Sequence, residues 1–296
     1  MPETTFVMRL RTMLAYILAF WWARIIIYFI SLCTVGMLVY MIQTGLFPVV
    51  LDIVGSRIFD QLIFLAPIGL TLVLEYSRTG GNYKTLGFSV SRFSIKEVSV
   101  GITSAAVALG ILILATLVSG ATITTFNAES LVDTVQTASL EEIGFRGVIF
   151  RAIEERFGSG MALVISSLLF AYAHFYTTPI NYPAFLNIAL AGVVFGAMYV
   201  LTRSLWMPIA FHFCWNYIEY SVFGRSPDPA IFAGIPQNFR WLFTGEYGIE
   251  QGLCTTIILV IILLILPKIT TASPYAAAAL FKQRYAEAKL KASFKI

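Results

Sequence analysis

The chain contains two histidines, His174 and His212, and both stand in stretches otherwise made of apolar and aromatic residues, FAYAHF and FHFCWNY. A third stretch of the same character, SLEEIGFRGVIF, carries Glu141, Glu142 and Arg146. Inserting an ionisable side chain into an apolar helix costs a few kcal/mol even on lenient scales, so such residues mark function before they mark packing. Carboxylate and imidazole together can activate a water molecule, because a carboxylate withdrawn from bulk water is a stronger base than one at a surface. Asn216 follows His212 by four residues. Neutral amide and imidazole groups can donate hydrogen bonds to a developing oxyanion without burying another full charge. No serine or cysteine stands beside a histidine as a nucleophile, which favours activated water.

Helical spacing brings these groups together within each stretch. Glu142 and Arg146 are i, i+4 in the favourable acid-before-base order, which leaves Glu141 about 100° around the helix and free to face a cavity. His212 and Asn216 are also i, i+4 and present two polar tips on one face. His174, His212 and Glu141 have the ligand types of a catalytic zinc site, but the H-E-x-x-H signature is absent and Asn is an unusual zinc ligand. The expectation is therefore a site with no cofactor, zinc being the alternative.

The elements that position these residues follow from composition. Apolar residues make up 58% of the 296 and charged ones only 12%, about half the charged share of a soluble domain. With a mean hydropathy of +0.81 the chain has room for about eight membrane helices and no large soluble domain besides. The fold class expected is all-α, a polytopic membrane bundle. Candidate spans are Ile25 to Gln43, Phe59 to Tyr76, Val98 to Val118, Val132 to Phe150, Met161 to Phe175, Phe185 to Leu201, Met207 to Val222 and Leu253 to Leu266. Residues 1–24 read as an interfacial helix, 25–268 as the membrane domain, and 269–296 as a basic cytoplasmic tail suited to an anionic leaflet.

Gly45 and Pro48 stop the first span, Gly80 and Gly81 follow the second, Pro208 suits the first turn of the seventh, and Pro267 ends the eighth. Ser130-x-x-Asp133 reads as a capping box for the fourth. The fourth and fifth meet at a turn near Gly158 to Gly160, and Gly224 to Gly252 reads as a structured loop. With both termini inside, fifteen of the twenty Lys and Arg residues fall in cytoplasmic segments, among them Arg151, Arg156 and Arg203. The net charge of +4 gives no argument for nucleic acid, and Cys33, Cys214 and Cys254 show neither disulfide nor zinc spacing.

Counted from the Gly158 turn, Glu141 lies roughly 26 Å away and His174 roughly 22 Å, so they can face one another, whereas His212 and Asn216 need their helix to tilt or begin higher. The cavity is expected between the fourth, fifth and seventh spans. Phe170, Trp206, Trp215 and Tyr220 read as packing or interfacial aromatics. Salt pairing is the reading of Arg151, Glu154, Glu155 and Arg156.

Three motifs in order, Glu141-Glu142-x-x-x-Arg146, Phe170-x-x-x-His174 and His212-x-x-x-Asn216, resemble those of the CPBP family, the type II CAAX prenyl endopeptidases and bacterial proteins grouped with bacteriocin processing and immunity. The resemblance covers Ser139 to Tyr220, and Thr244 to Gly248 is similar to a loop of bacterial members. It implies an intramembrane glutamate protease acting on a membrane-associated or lipidated protein or peptide. On that resemblance Glu141 is the general base, His174 its partner, and His212 and Asn216 are the oxyanion donors. Glu142, Arg146 and Phe170 support them.

The expected location is the cell membrane of a prokaryote. A non-catalytic immunity or scaffold protein of the same fold, a zinc-dependent variant, and a transporter using Glu141 as a proton relay are the competing readings. Which leaflet opens to the cavity stays open.

Overall fold

The computed structural model describes residues 20–41, 69–70, 73, 87–88, 90, 92–122, 126, 130–176, 181–224 and 232–270. The interfacial helix before residue 20, nearly all of the span Phe59 to Tyr76, the stops at Gly45, Pro48, Gly80 and Gly81, and the basic tail after residue 270 lie outside the described residues. Among the described residues the architecture is all-helical, with no strand. The helices are α1 (Trp21–Met41), α2 (Arg92–Val118), α3 (Leu131–Glu142), α4 (Arg151–Ala173), α5 (Tyr182–Thr202), α6 (Trp206–Val222) and α7 (Leu253–Ile269).

Three stretches are long and apolar enough to cross a membrane, Phe93–Val118, Leu131–Ala173 and Tyr182–Thr202, and Trp21–Ser31 and Leu253–Ile269 are shorter apolar helices. Their outward faces carry Val107, Ile111 and Leu114 on α2 and Ile257, Ile261 and Leu264 on α7, all exposed, while Glu142, Arg146, His212 and Glu219 are buried. Apolar outside and charged inside is the inverse of a water-soluble bundle and fits a hydrocarbon solvent. The chain is an integral membrane protein.

Local sequence explains the helix ends. Ser130 opens α3 by accepting from the Asp133 N–H at 3.3 Å, as the capping box requires. Asn181 opens α5 by accepting from the Ala184 N–H at 3.2 Å, with Pro183 in the first turn. At the other end of α5, Arg203 closes the helix in the left-handed region, φ 54°, a place glycine usually takes. Its side chain is held there by Glu154 at 2.6 Å. That ion pair sets the α4 start and the α5 end at one end of the bundle.

Two expectations are corrected here. The fourth span is not a regular helix, because Ile143–Phe150 is wound as a π-helix that continues α3 directly into α4. Pro267 does not end α7, which runs on to Ile269. In the last turn a proline keeps helical φ and forfeits one hydrogen bond, too little to stop a helix held by packing.

Gly158 breaks the long Leu131–Ala173 stretch with φ 83° and ψ 167°, a conformation open essentially to glycine alone. The break lets α4 fold back on the π-helical segment. Phe170 reaches the rings of Phe145, 5.1 Å between centroids, and lies under the Arg146 guanidinium, 4.6 Å away. The expected turn near Gly158 is thus where the chain reverses. No side chain crowds Gly158, so Gly158→Ala carries backbone strain alone, about 1–3 kcal/mol. Thermal unfolding in detergent should fall by several degrees for Gly158→Ala. For Gly160→Ala, equally uncrowded but without positive φ, it should stay level or rise.

Candidate active site

Glu142 and Arg146 are both fully buried and paired at 2.9 Å across one turn. A buried pair is costly unless its remaining valences are met, and here several helices supply part of them, leaving Glu142 Oε2 and Arg146 Nε without a hydrogen bond. Glu142 Oε1 also accepts from His212 Nδ1 of α6 at 2.9 Å. The second guanidinium nitrogen of Arg146 donates to the Gly192 carbonyl of α5 at 3.0 Å. The guanidinium carbon stands 4.6 Å from the centre of Phe170 and 4.9 Å from that of Phe195, so two ring faces replace part of its lost hydration. Gly192 has to be glycine at this crossing, since a Cβ there would come within 2.9 Å of the Ser167 backbone.

This clamp sets the imidazoles. A carboxylate oxygen can only accept, so His212 Nδ1 carries the proton of that bond, and the opposite ring nitrogen is turned towards Glu141, Nε2 to Oε2 3.8 Å. The His212 ring stacks on Phe195, 4.7 Å between centroids and 15° between planes. His174 Nδ1 donates to the Phe170 carbonyl at 2.8 Å, which leaves its Nε2 as the acceptor of the neutral ring. Its ring meets the Phe170 edge at 4.7 Å. Phe170 stands against the cation and both imidazoles at once, with His212 6.1 Å away edge-on.

Glu141, His174, His212, Asn216 and Phe170 line a single cavity of about 320 Å³. Glu141 keeps a quarter of its side chain exposed to it, whereas His212 and Asn216 are almost entirely withdrawn. The imidazole within ion-pair distance of Glu141 is His212, where the sequence paired Glu141 with His174; His174 stands on the wall of the same cavity. The π winding helps explain how His212 comes within reach. More residues per turn means less advance along the axis, so Glu141 sits nearer the Glu154–Arg203 end than regular α rise would place it.

The cavity walls are wider than the three spans expected. Asn187 and Ala191 of α5, Thr255 and Leu259 of α7, and Glu246, Tyr247 and Glu250 of the loop before α7 all contribute. That loop is structured, with 3-10 turns at Gln237–Leu242 and Ile249–Gln251 and a bridge between Gly245 and Gly248. Asn187 fastens it, donating to the carbonyls of Glu250 at 2.7 Å and Gly252 at 3.0 Å while accepting from the Thr256 hydroxyl at 2.6 Å.

Glu219 escaped the sequence reading. It is i+7 from His212 on the same face of α6, buried, and accepts from Trp215 Nε1 at 3.0 Å, so Trp215 is a donor within the cavity as well as an aromatic of the core. The signal was one more carboxylate in an apolar helix. Glu250 had no such signal. Burial raises its carboxyl above the usual range, while His174 and His212 pull it down and Glu141 pushes it up.

Glu154 and Glu155, as expected of that charged stretch, are salt-paired, Glu154 with Arg203 and Glu155 with Arg24 of α1. Among the described residues no three His, Cys, Asp or Glu side chains are grouped to hold a metal ion.

Residues 123–218 match the family described as Type II CAAX prenyl endopeptidase Rce1-like. No curated protein and no solved structure matches the chain. The Rce1-like region runs through α3, α4, α5 and most of α6, and holds Glu141, Glu142, Arg146, Phe170, His174, His212 and Asn216. Glu219 and the carboxylates of the loop lie beyond it.

Removing one partner of the buried clamp leaves an uncompensated charge. Arg146→Met should lower stability in detergent by about 3–5 kcal/mol, enough to abolish folded yield, whereas the double change Glu142→Gln with Arg146→Met should restore a folded protein. Folded yield of the two variants in detergent, and the unfolding midpoint of the double variant, check this.

Proposed function

We propose that the chain is an intramembrane endopeptidase that hydrolyses a peptide bond of a membrane-associated or lipidated protein or peptide, with water as the nucleophile. The observation that carries this reading is the gathering of Glu141, His174, His212 and Asn216 on one polar cavity within a membrane protein of a protease family.

Glu141 takes a proton from a water molecule as its oxygen attacks the scissile carbonyl, and His174 Nε2 accepts a second hydrogen bond from that water, orienting it. The carbonyl π electrons move to oxygen. Asn216 donates to that oxyanion through its amide N–H. His212 donates through Nε2, which requires both ring nitrogens to carry protons; the carboxylates of Glu141 and Glu142 on either side balance that charge. As the tetrahedral centre collapses, the C–N bond breaks and the proton held by Glu141 passes to the leaving amine. One carboxylic acid and one amine result, and no cofactor enters. Glu142, Arg146 and Phe170 act by fixing His212 and His174 in place.

By the positive-inside rule the end bearing Arg151, Arg156 and Arg203 is cytoplasmic, as are both termini. His174 closes α4 sixteen residues after Gly158, roughly 24 Å along the axis, so the cavity lies towards the other end.

Detergent-purified protein and its Glu141→Gln variant, incubated with lipidated and unlipidated peptides, test the mechanism. Cleavage should fall at least about a hundredfold in the variant while its unfolding midpoint stays level. Product masses locate the bond. Undiminished cleavage by Glu141→Gln defeats the mechanism, and loss on chelation with recovery on added zinc would replace it with metal-activated water.

A further inference from the structure

The wall facing the catalytic groups is acidic. Four carboxylates line the cavity, Glu141, Glu219, Glu246 and Glu250, and among the described lining residues there is no Lys or Arg. The nearest buried guanidinium, Arg146, is already committed to Glu142 and Gly192. The negative charge of this cavity therefore has no fixed cation of its own beyond the imidazoles. In a low-dielectric enclosure such a field acts strongly on whatever enters.

Glu219 and Glu250 are brought together by construction. Trp215 orients Glu219 by donating to Oε2, and the loop backbone at Gly248 passes over its other oxygen, to which a Cβ at that glycine would stand 3.9 Å. Asn187 pins Glu250 by its carbonyl. An independent feature points to a bound chain. Asn216, one turn before Glu219 on the same face of α6, is 7% exposed, lines the cavity, and makes no side-chain hydrogen bond among the described residues. A buried amide with nothing to bond is costly unless a ligand satisfies it, and a peptide backbone offers both a donor and an acceptor.

We propose that Glu219 and Glu250 form a subsite for a cationic side chain, Lys or Arg, carried by the peptide segment that lies across the cavity. The proposal rests on the proteolytic reading of the cavity for its substrate class, and it adds a selectivity to that reading. A lysine stem runs along apolar wall such as Ile188 and Leu259, and its ammonium meets two carboxylates that its charge releases from mutual repulsion. An acidic residue at the same position of the peptide is rejected by the same field.

The test uses the full-length protein in detergent and N-acetylated, lipid-tagged decapeptides of an Ala/Leu host in which one position after another is lysine, norleucine or glutamate. Acetylation leaves the lysine as the single cation. Binding is read by fluorescence anisotropy on the Glu141→Gln variant, and cleavage on the wild type. The expected result is one position at which lysine improves binding and kcat/KM by about tenfold or more over norleucine, which corresponds to about 1.4 kcal/mol. Glutamate there should be worse than norleucine. Glu219→Gln and Glu250→Gln, each added singly, should collapse the lysine-to-norleucine ratio towards one, the norleucine peptide serving within each variant as the control for folding.

Cleavage without any lysine preference overturns the subsite and leaves the protease reading standing. Lysine-dependent binding with no cleavage of any peptide keeps the subsite and overturns the protease reading. A preference that persists in both Gln variants assigns the selectivity elsewhere and also overturns the proposal.

Discussion

A guanidinium and a carboxylate at zero solvent exposure, inside a bundle whose outer faces are hydrocarbon-like, are the constraint to which the rest of this structure answers. Taking two such ions out of water costs several kcal/mol each, and mutual attraction offsets it only when geometry is good and the leftover donors are used. Arg146 and Glu142 achieve much of this by recruiting three other helices, with Arg146 Nε and Glu142 Oε2 left unbonded. The Gly192 carbonyl comes from α5, the His212 imidazole from α6, and the Phe170 ring from the returning half of α4. Each helix is thereby fixed in depth and rotation relative to the pair.

That arrangement turns an electrostatic liability into positioning. The group that neutralises Glu142 from α6 is the imidazole whose far nitrogen looks at Glu141, so the clamp and the chemistry share His212. Phe195 stacks on the same ring and also backs the guanidinium, which leaves His212 little rotational freedom. Rigid helices carry the four groups assigned to catalysis, and this is where precision of a few tenths of an ångström is held most readily.

The sequence made the helices legible because apolar runs of this length have no other way to satisfy their backbone in lipid. The spans read as Phe185 to Leu201 and Met207 to Val222 fall within a few residues of α5 and α6. The polar residues stood out against an apolar background for the same reason. What one-dimensional periodicity could not carry was the winding of Ile143–Phe150, since a π-helix is selected by tertiary contacts such as Gly144 against Tyr28 and not by a pattern along the chain. Depth counts at regular rise then asked the helix of His212 to tilt or begin higher before it could reach Glu141, whereas the two groups stand within 3.8 Å. Asn187 and Glu250 were illegible for a related reason, as their roles arise from a loop meeting a helix 63 residues away in sequence.

The cavity has two walls of different origin. One comes from α3, α4 and α6 within the stretch that matches the protease family, and carries Glu141, His174, His212 and Asn216. The other comes from the end of α6, the loop before α7 and α7 itself, beyond that stretch, and carries Glu219, Glu246 and Glu250. A reaction of this type needs the first wall whatever is cut, whereas the second meets the side chains of the incoming segment. Loops held on a rigid scaffold are where selectivity can change without disturbing chemistry. Here the Asn187 side chain ties the second wall to α5, satisfying the loop carbonyls at Glu250 and Gly252 and the first turn of α7 together. Its three hydrogen bonds tie the acidic wall to α5, so on the proteolytic reading the room left for a bound segment follows from the packing of α5 against α7.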